Sequence, residues 1–224
     1  NNLKLNAGIW RSDLLAEEIK LRKIFADVPV ELSNPVRGKF YLNGTTENLA
    51  PSGISGSGSA QIAALAGKIT AQNIKITNGK YQTLIIPENL HLKELANIDG
   101  VMKGLLNVKG NLENFRPTAI AATGSVNFSK GINPIDRALN AKINWNGKRL
   151  EVKQATAEGV FATGFFDVDK SFFEDIPDKL VGIKNWKLNV QQARKINLHN
   201  LELNLPKEAS KIDYTRGKVE TLLV

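Results

Sequence analysis

The chain has 224 residues, 42% of them hydrophobic, no cysteine, and 30 Lys and Arg against 22 Asp and Glu, a formal charge of +8. Zero cysteine excludes disulfides, thiol catalysis and thiolate-held metals, and no stretch approaches the run of ~18 apolar residues that a spanning helix needs. The cation excess favours anionic partners, lipid head groups before nucleic acid, because the basic residues come singly among Asn and Leu with few aromatic platforms between them.

The first residues carry no basic flank followed by an apolar core, and the last, GKVETLLV, read as mid-strand. We therefore expect a piece of a longer chain, whose missing leader says nothing about location. Cysteine avoidance fits an oxidising compartment only weakly. Residues 1–35 read as an incomplete leading repeat. Within them Leu14 to Leu21 would pass for a helix on propensity, yet AEEIKL from Ala16 has the form A-x-x-I-x-(L or I) of AQNIKI from Ala71 and ARKINL from Ala193. The pattern predicts a strand in all three.

Two longer segments follow as repeats, 36–101 and 102–169. GKFYLNGTTENLAPSGISGSGSA, from Gly38, aligns without a gap on GLLNVKGNLENFRPTAIAATGSV, from Gly104: Gly44 falls on Gly110, Glu47 on Glu113, Asn48 on Asn114, Pro51 on Pro117, Ile54 on Ile120 and Gly58 on Gly124, all 66 residues apart. A period that long with strand content predicts an extended or stacked β architecture. Asn43-Gly44, Asn78-Gly79 and Asn146-Gly147 are predicted turns closing the strands, since Asn and Gly accept positive φ. Residues 170–224 read as trailing strands of one continuous repeat domain.

Alternation assigns one apolar face throughout. Phe40, Leu42, Ile74, Ile76, Leu106, Val108, Val126, Phe128, Ile143, Trp145, Leu150, Val152, Phe166, Val168, Trp186, Leu188 and Val190 belong to it, with Lys, Asn, Gln or Asp opposite. INLHNLELNL, from Ile196, changes phase at His199-Asn200, a predicted β-bulge. Helix candidates are only Pro134 to Leu139 and Asp178 to Ile183, too short to cover a sheet. The predicted fold is all-β: an elongated, curled antiparallel or mixed sheet with an apolar concave groove and few short helices. Whether it closes as a sandwich or stays a half-pipe is left open by the pattern.

Three tempting sites carry little chemistry. ISGSGS, from Ile54, lacks the GxxxxGK(S/T) order of a phosphate loop, and its small residues suit a bend or a close backbone approach. His91 and His199 have no second His or Cys at metal spacing. Between Phe161 and Asp178, five Phe mix with Asp167, Asp169, Glu174, Asp175 and Asp178; a Ca²⁺ loop order is not met, so we expect the Phe cluster to line or plug one end of the groove, or to dock a partner. No nucleophile, base or metal constellation is present, so no enzyme and no cofactor are expected.

The repeat turn LENFRPTAIAATGSV, the GSGS run and AGKITAQNIKITNGKYQTLI, from Ala66, resemble the C-terminal region of the TamB family in the AsmA-like superfamily, in a cyanobacterial type similar to a chloroplast inner-envelope homologue. The resemblance is clearest from Val36 to Asp169. It implies a β-taco fold in a protein anchored to the inner membrane, crossing the periplasm and meeting an Omp85 or TamA-like outer-membrane barrel. Two roles follow from it: carriage of phospholipid acyl chains between membranes, or assembly of outer-membrane proteins by β-augmentation. It transfers no catalytic residue. Lys39, Lys109, Lys142, Lys148, Arg149, Lys153 and Lys187 are candidates to meet anionic head groups at the groove rim, with a solvated outer face as the plainer alternative. Edge-to-edge self-association is a further possible partner mode.

Overall fold

The computed structural model describes residues 2–20, 23, 33–93, 100–130, 137–169 and 183–192. They form one sheet in which each strand pairs with its sequence neighbour, all antiparallel: β1 (Asn2–Asn6), β2 (Ile9–Ile19), β3 (Val36–Thr45), β4 (Ser55–Ala64), β5 (Gly67–Thr77), β6 (Lys80–Glu88), β8 (Val101–Asn111), β9 (Ala121–Phe128), β10 (Leu139–Trp145), β11 (Arg149–Ala157), β12 (Val160–Val168) and β13 (Ile183–Gln192). The two-residue β7 (Leu90–His91) continues β6 beyond Asn89 and also pairs with β8. The sheet is open, with β1 and β13 at its two ends. Contacts among described elements run between strands adjacent in it, so no second layer of described residues covers either face. Among the described residues the strands form one open sheet and not a sandwich. Among the described strands every pairing is antiparallel, which replaces the mixed alternative.

The 66-residue repeat holds at the level of single hydrogen bonds. Asn48 Oδ1 accepts from Ala50 N at 3.1 Å, and Asn114 Oδ1 accepts from Arg116 N at 3.0 Å. Each Asx turn opens a 3₁₀ turn with Pro in first place, Pro51–Gly53 and Pro117–Ala119, where the fixed proline φ suits the start of a helical turn. Strand register repeats too: Phe40 faces Gly58 as Leu106 faces Gly124. Pairing of β6 with β8 joins the two units into one sheet.

Leu14 lies in the strand β2, so the repeat rightly overrode helix propensity there. The A-x-x-I motif also has a geometric meaning. Ala16 and Ile19 pair with Gly38 and Val36, and Ala71 and Ile74 pair with Ala60 and Gly58: three steps on one strand oppose two on the other, a β-bulge in each case. Val152 to Ala155 and Ile183 to Trp186 repeat the device. The extra residue restores the apolar side chain to the same face and adds local twist and bend, which curl the sheet.

Two sequence expectations need correction. Asn43-Gly44 is not a turn: both residues lie inside β3, and the chain turns at Thr46-Glu47. Leu139 opens β10 instead of closing a helix, and Ile183 opens β13; the remaining residues of those two helix candidates, except Arg137 and Ala138, lie outside the described residues. The bulge at His199-Asn200 and the third A-x-x-I copy at Ala193 also lie outside them. Asn78-Gly79, with φ of 49° and 72°, is the predicted hairpin turn. Asn146-Gly147 is a turn as well, its Asn146 Oδ1 accepting from the amides of Lys148 and Arg149.

Successive turns along one long edge of the sheet are stitched together. Thr46 N donates to Gly8 O, Gly79 N to Ile54 O and Leu112 N to Gly79 O, each at 2.8 Å. This row is called the turn edge below. Toward the opposite, far edge lie the most buried apolar side chains, including Ala16, Val36, Ile62, Ala64, Leu90, Phe128, Leu139 and Ala157.

Candidate functional site: the apolar face

Register places the apolar residues of all strands on one face. In one row Leu14 faces Phe40, Phe40 faces Gly58, and Gly58 faces Ile74. In another, Ile85 faces Leu106, then Gly124, Ile143, Val152, Gly164 and Leu188 follow by direct pairing. All seventeen residues singled out by alternation occupy this face: Phe40, Leu42, Ile74, Ile76, Leu106, Val108, Val126, Phe128, Ile143, Trp145, Leu150, Val152, Phe166, Val168, Trp186, Leu188 and Val190. They are not equally sheltered. Ile76, Val126 and Phe128 are buried, those from Phe40 to Val168 are otherwise half-buried, and Trp186, Leu188 and Val190 on β13 are exposed at 63%, 41% and 51%.

The same register adds residues that the alternation list missed. Leu3 and Leu5 of β1 and Trp10 of β2 extend the face to the first strand, and Ile62, Ile69, Ile85, Tyr81, Met102 and Leu139 fill it between. Ile62, Ile69 and Leu139 each sit two places from an alanine of the same face, whereas Trp10, Tyr81 and Met102 have Gly, Ser or Thr two places away, so apolar alternation does not mark them. Only Ile69 lies across a bulge from the residues already named on its strand, Ile74 and Ile76.

The aromatic residues are placed unevenly. All three tryptophans, Trp10, Trp145 and Trp186, together with Tyr81 and Phe166, lie on the apolar face beside the turn edge. Trp145 Nε1 donates to Pro117 O at 2.8 Å, which anchors its ring against the repeat turn. Tyr81 stacks on Phe115 with ring centroids 5.7 Å apart, and burial pushes its phenol above the ordinary value. The Trp10 Nε1 hydrogen is buried without a described acceptor. The face thus gathers its tryptophans and Tyr81 at the turn edge, where their large apolar bodies carry polar tips, while its far edge is mainly aliphatic with Phe128 among it.

Apart from β1 and β7, the strands hold seven to eleven residues. At ~3.3 Å per residue the face is therefore about 23–36 Å wide, and twelve strands side by side at ~4.8 Å extend it over about 50 Å.

The cations are not where the rim expectation put them. Lys39, Lys109, Lys142, Arg149 and Lys187 alternate with the apolar residues and project from the polar face, Lys148 sits in a turn, and Lys153 lies in a bulge paired with Glu151. The plainer solvated alternative describes them. Arg149 is further engaged by Asp167, with Nη2 to Oδ2 at 2.7 Å, and its guanidinium lies 4.1 Å from the Phe165 ring centre. The hydrogen bond from Arg149 holds the Asp167 carboxyl below its ordinary pKa. Among the described residues of the cluster, Phe161 and Phe165 face away from the groove and Phe166 lines it, so the cluster does not line or plug the groove as a unit. Phe172, Phe173, Glu174, Asp175 and Asp178 lie outside the described residues.

Among the described residues no group of His, Asp and Glu is arranged to hold a metal ion, and no helix is long and apolar enough to cross a membrane. His91 is an exposed residue of β7; His199 lies outside the described residues. The glycines of ISGSGS let β3 side chains lie over β4: a Cβ at Gly58 would stand 2.7 Å from Phe40 Cδ1. No family model, curated protein or solved structure matches the chain.

Proposed function

We propose that this chain is a segment of a TamB-like bridge protein whose apolar sheet face carries phospholipid acyl chains across the periplasm, from an inner membrane that anchors the protein to an outer membrane with an Omp85-family barrel. The observation that carries this reading is one unbroken apolar face over twelve strands, half-exposed and without a second layer among the described residues. Such a face needs an apolar occupant, because each CH₂ left in water costs about 0.8 kcal/mol. A leaflet-long acyl chain of ~15 Å fits within the width of the face. A lipid begins and ends in a bilayer, so the groove only has to match bilayer hydrophobicity while the open side keeps the head group wet. No catalytic residue and no cofactor enter this function.

The second reading, a scaffold for outer-membrane protein assembly, is favoured by the open ends of the sheet, where an extended client or barrel strand can add to β1 or β13. Native mass spectrometry with lipid extraction separates the two. Phospholipid bound to the wild type and lost in a Val108→Asp, Leu188→Asp variant that keeps its β circular dichroism supports carriage. Lipid-free protein in both forms, with strand peptides bound, supports the scaffold and overturns carriage.

A further inference from the structure

The polar face carries the same recess twice. One is lined by Arg37, Gly38, Ser59, Ala60 and Gln61; the other by Lys103, Gly104, Ser125, Val126 and Asn127, the residues 66 positions later in each case. The next strand completes both at matching register, through Thr70 opposite Gln61 and Asn140 opposite Asn127. The recesses differ in charge. The first adds Lys39 but also Glu17 and Glu18, so two cations meet two carboxylates. The second adds Lys142, Gln154 and Thr156 and has no acidic lining residue.

Lys103 and Lys142 form no ion pair with any described residue. They sit two strands and two residues apart, about 12 Å between Cα atoms from strand spacing and rise. Side chains of that length converge on a group lying between them over Ser125 and Asn127. Asn127 Nδ2 donates to Asn140 Oδ1 at 2.7 Å, which fixes both amides and leaves the Asn140 Nδ2 hydrogens and the Asn127 Oδ1 for a ligand. Ser125, Gln154 and Thr156 add groups that both donate and accept, as hydroxyls of a polyol require. The recess is open to solvent and has a volume of about 400 Å³, room for a phosphorylated polyol to lie in it. Two ammonium groups match the charge of a phosphate monoester, close to −2 at neutral pH.

We infer that the second-repeat recess, built by Lys103, Lys142, Ser125, Asn127 and Asn140, binds the phosphate monoester of a small polyol, and that Glu17 and Glu18 suppress binding at its first-repeat counterpart. The site is independent of the apolar face and stands whether or not that face carries lipid.

The test is calorimetric titration of the full 224-residue chain with glycerol 3-phosphate at low ionic strength, alongside sedimentation with vesicles containing phosphatidic acid, which presents the same monoester on a lipid. The expected result is one equivalent bound from at least one source, weakened tenfold or more by Lys103→Gln with Lys142→Gln. Both lysines are exposed, so this variant keeps the fold, checked by circular dichroism. Glu17→Gln with Glu18→Gln is expected to raise the stoichiometry to two. Binding of the soluble ester assigns a free metabolite; binding of vesicles alone assigns a lipid head group; either supports the site. No binding from either source, or binding indifferent to the lysine pair, overturns it. One equivalent in the glutamate variant overturns the charge argument on which the assignment rests.

Discussion

The indole of Trp10 lies across Gly44 of the neighbouring strand, so close that a Cβ on Gly44 would stand 2.7 Å from Trp10 Cζ2. Sixty-six residues later the Tyr81 ring covers Gly110 in the same way. Each pair sets an aromatic ring over a strand glycine, which otherwise leaves backbone exposed and a hole in the face. Gly44→Ala is expected to lower stability by about 1–3 kcal/mol through overpacking. Urea unfolding checks this, and in a Trp10→Ala background the same substitution is expected to cost much less. An equal cost in both backgrounds contradicts the contact.

Asn73 stands in the β5 bulge with φ of 52°, a conformation that β-branched residues adopt only under strain. Asn73→Gly is expected to be within about 0.5 kcal/mol of wild type, and Asn73→Val to cost about 1–2 kcal/mol. Chemical denaturation of the two variants reads the difference. Equal stability of the glycine and valine variants contradicts the bulge.

Asp167 and Glu151 on the polar face both titrate below their ordinary values, Asp167 through hydrogen bonds from Arg149 and Glu151 through those from Lys153 and then Asn144. Protons therefore bind the unfolded chain more tightly than the folded one. The stability these carboxylates contribute is complete above an unfolded pKa near 4 and falls as pH drops below it toward the folded values. Asp167→Asn is expected to make the acid side of a stability–pH curve shallower below about pH 4, while leaving its alkaline side unchanged. Both groups are exposed, so added salt shrinks the effect.

The fold was legible where two signals agreed. Alternation from Phe40 to Leu42 and from Leu106 to Val108 named the face, and the repeat overruled helix propensity at Leu14. The A-x-x-I motif was visible as a repetition, but its content, an extra residue between Ala71 and Ile74, appears only once the partner strand shows two steps against three. Asn43-Gly44 misled because the dipeptide that favours a hairpin turn is also what leaves room beside a large ring; the glycine answers to Trp10, a residue 34 positions away. Phe161 and Phe165 misled for a related reason. Composition grouped five phenylalanines, while the two-residue period of β12 sends these two to the polar face and Phe166 to the apolar one.

Trp10, Trp145 and Trp186 are the only tryptophans, and all three border the apolar face. The measurement that tests the central claim most directly is tryptophan fluorescence in the presence of phospholipid brominated on its acyl chains. If the face carries acyl chains, the brominated lipid quenches the emission strongly, the unbrominated lipid does not, and Val108→Asp with Leu188→Asp abolishes the quenching while the β circular dichroism persists. Emission that is the same with both lipids contradicts acyl-chain carriage on this face.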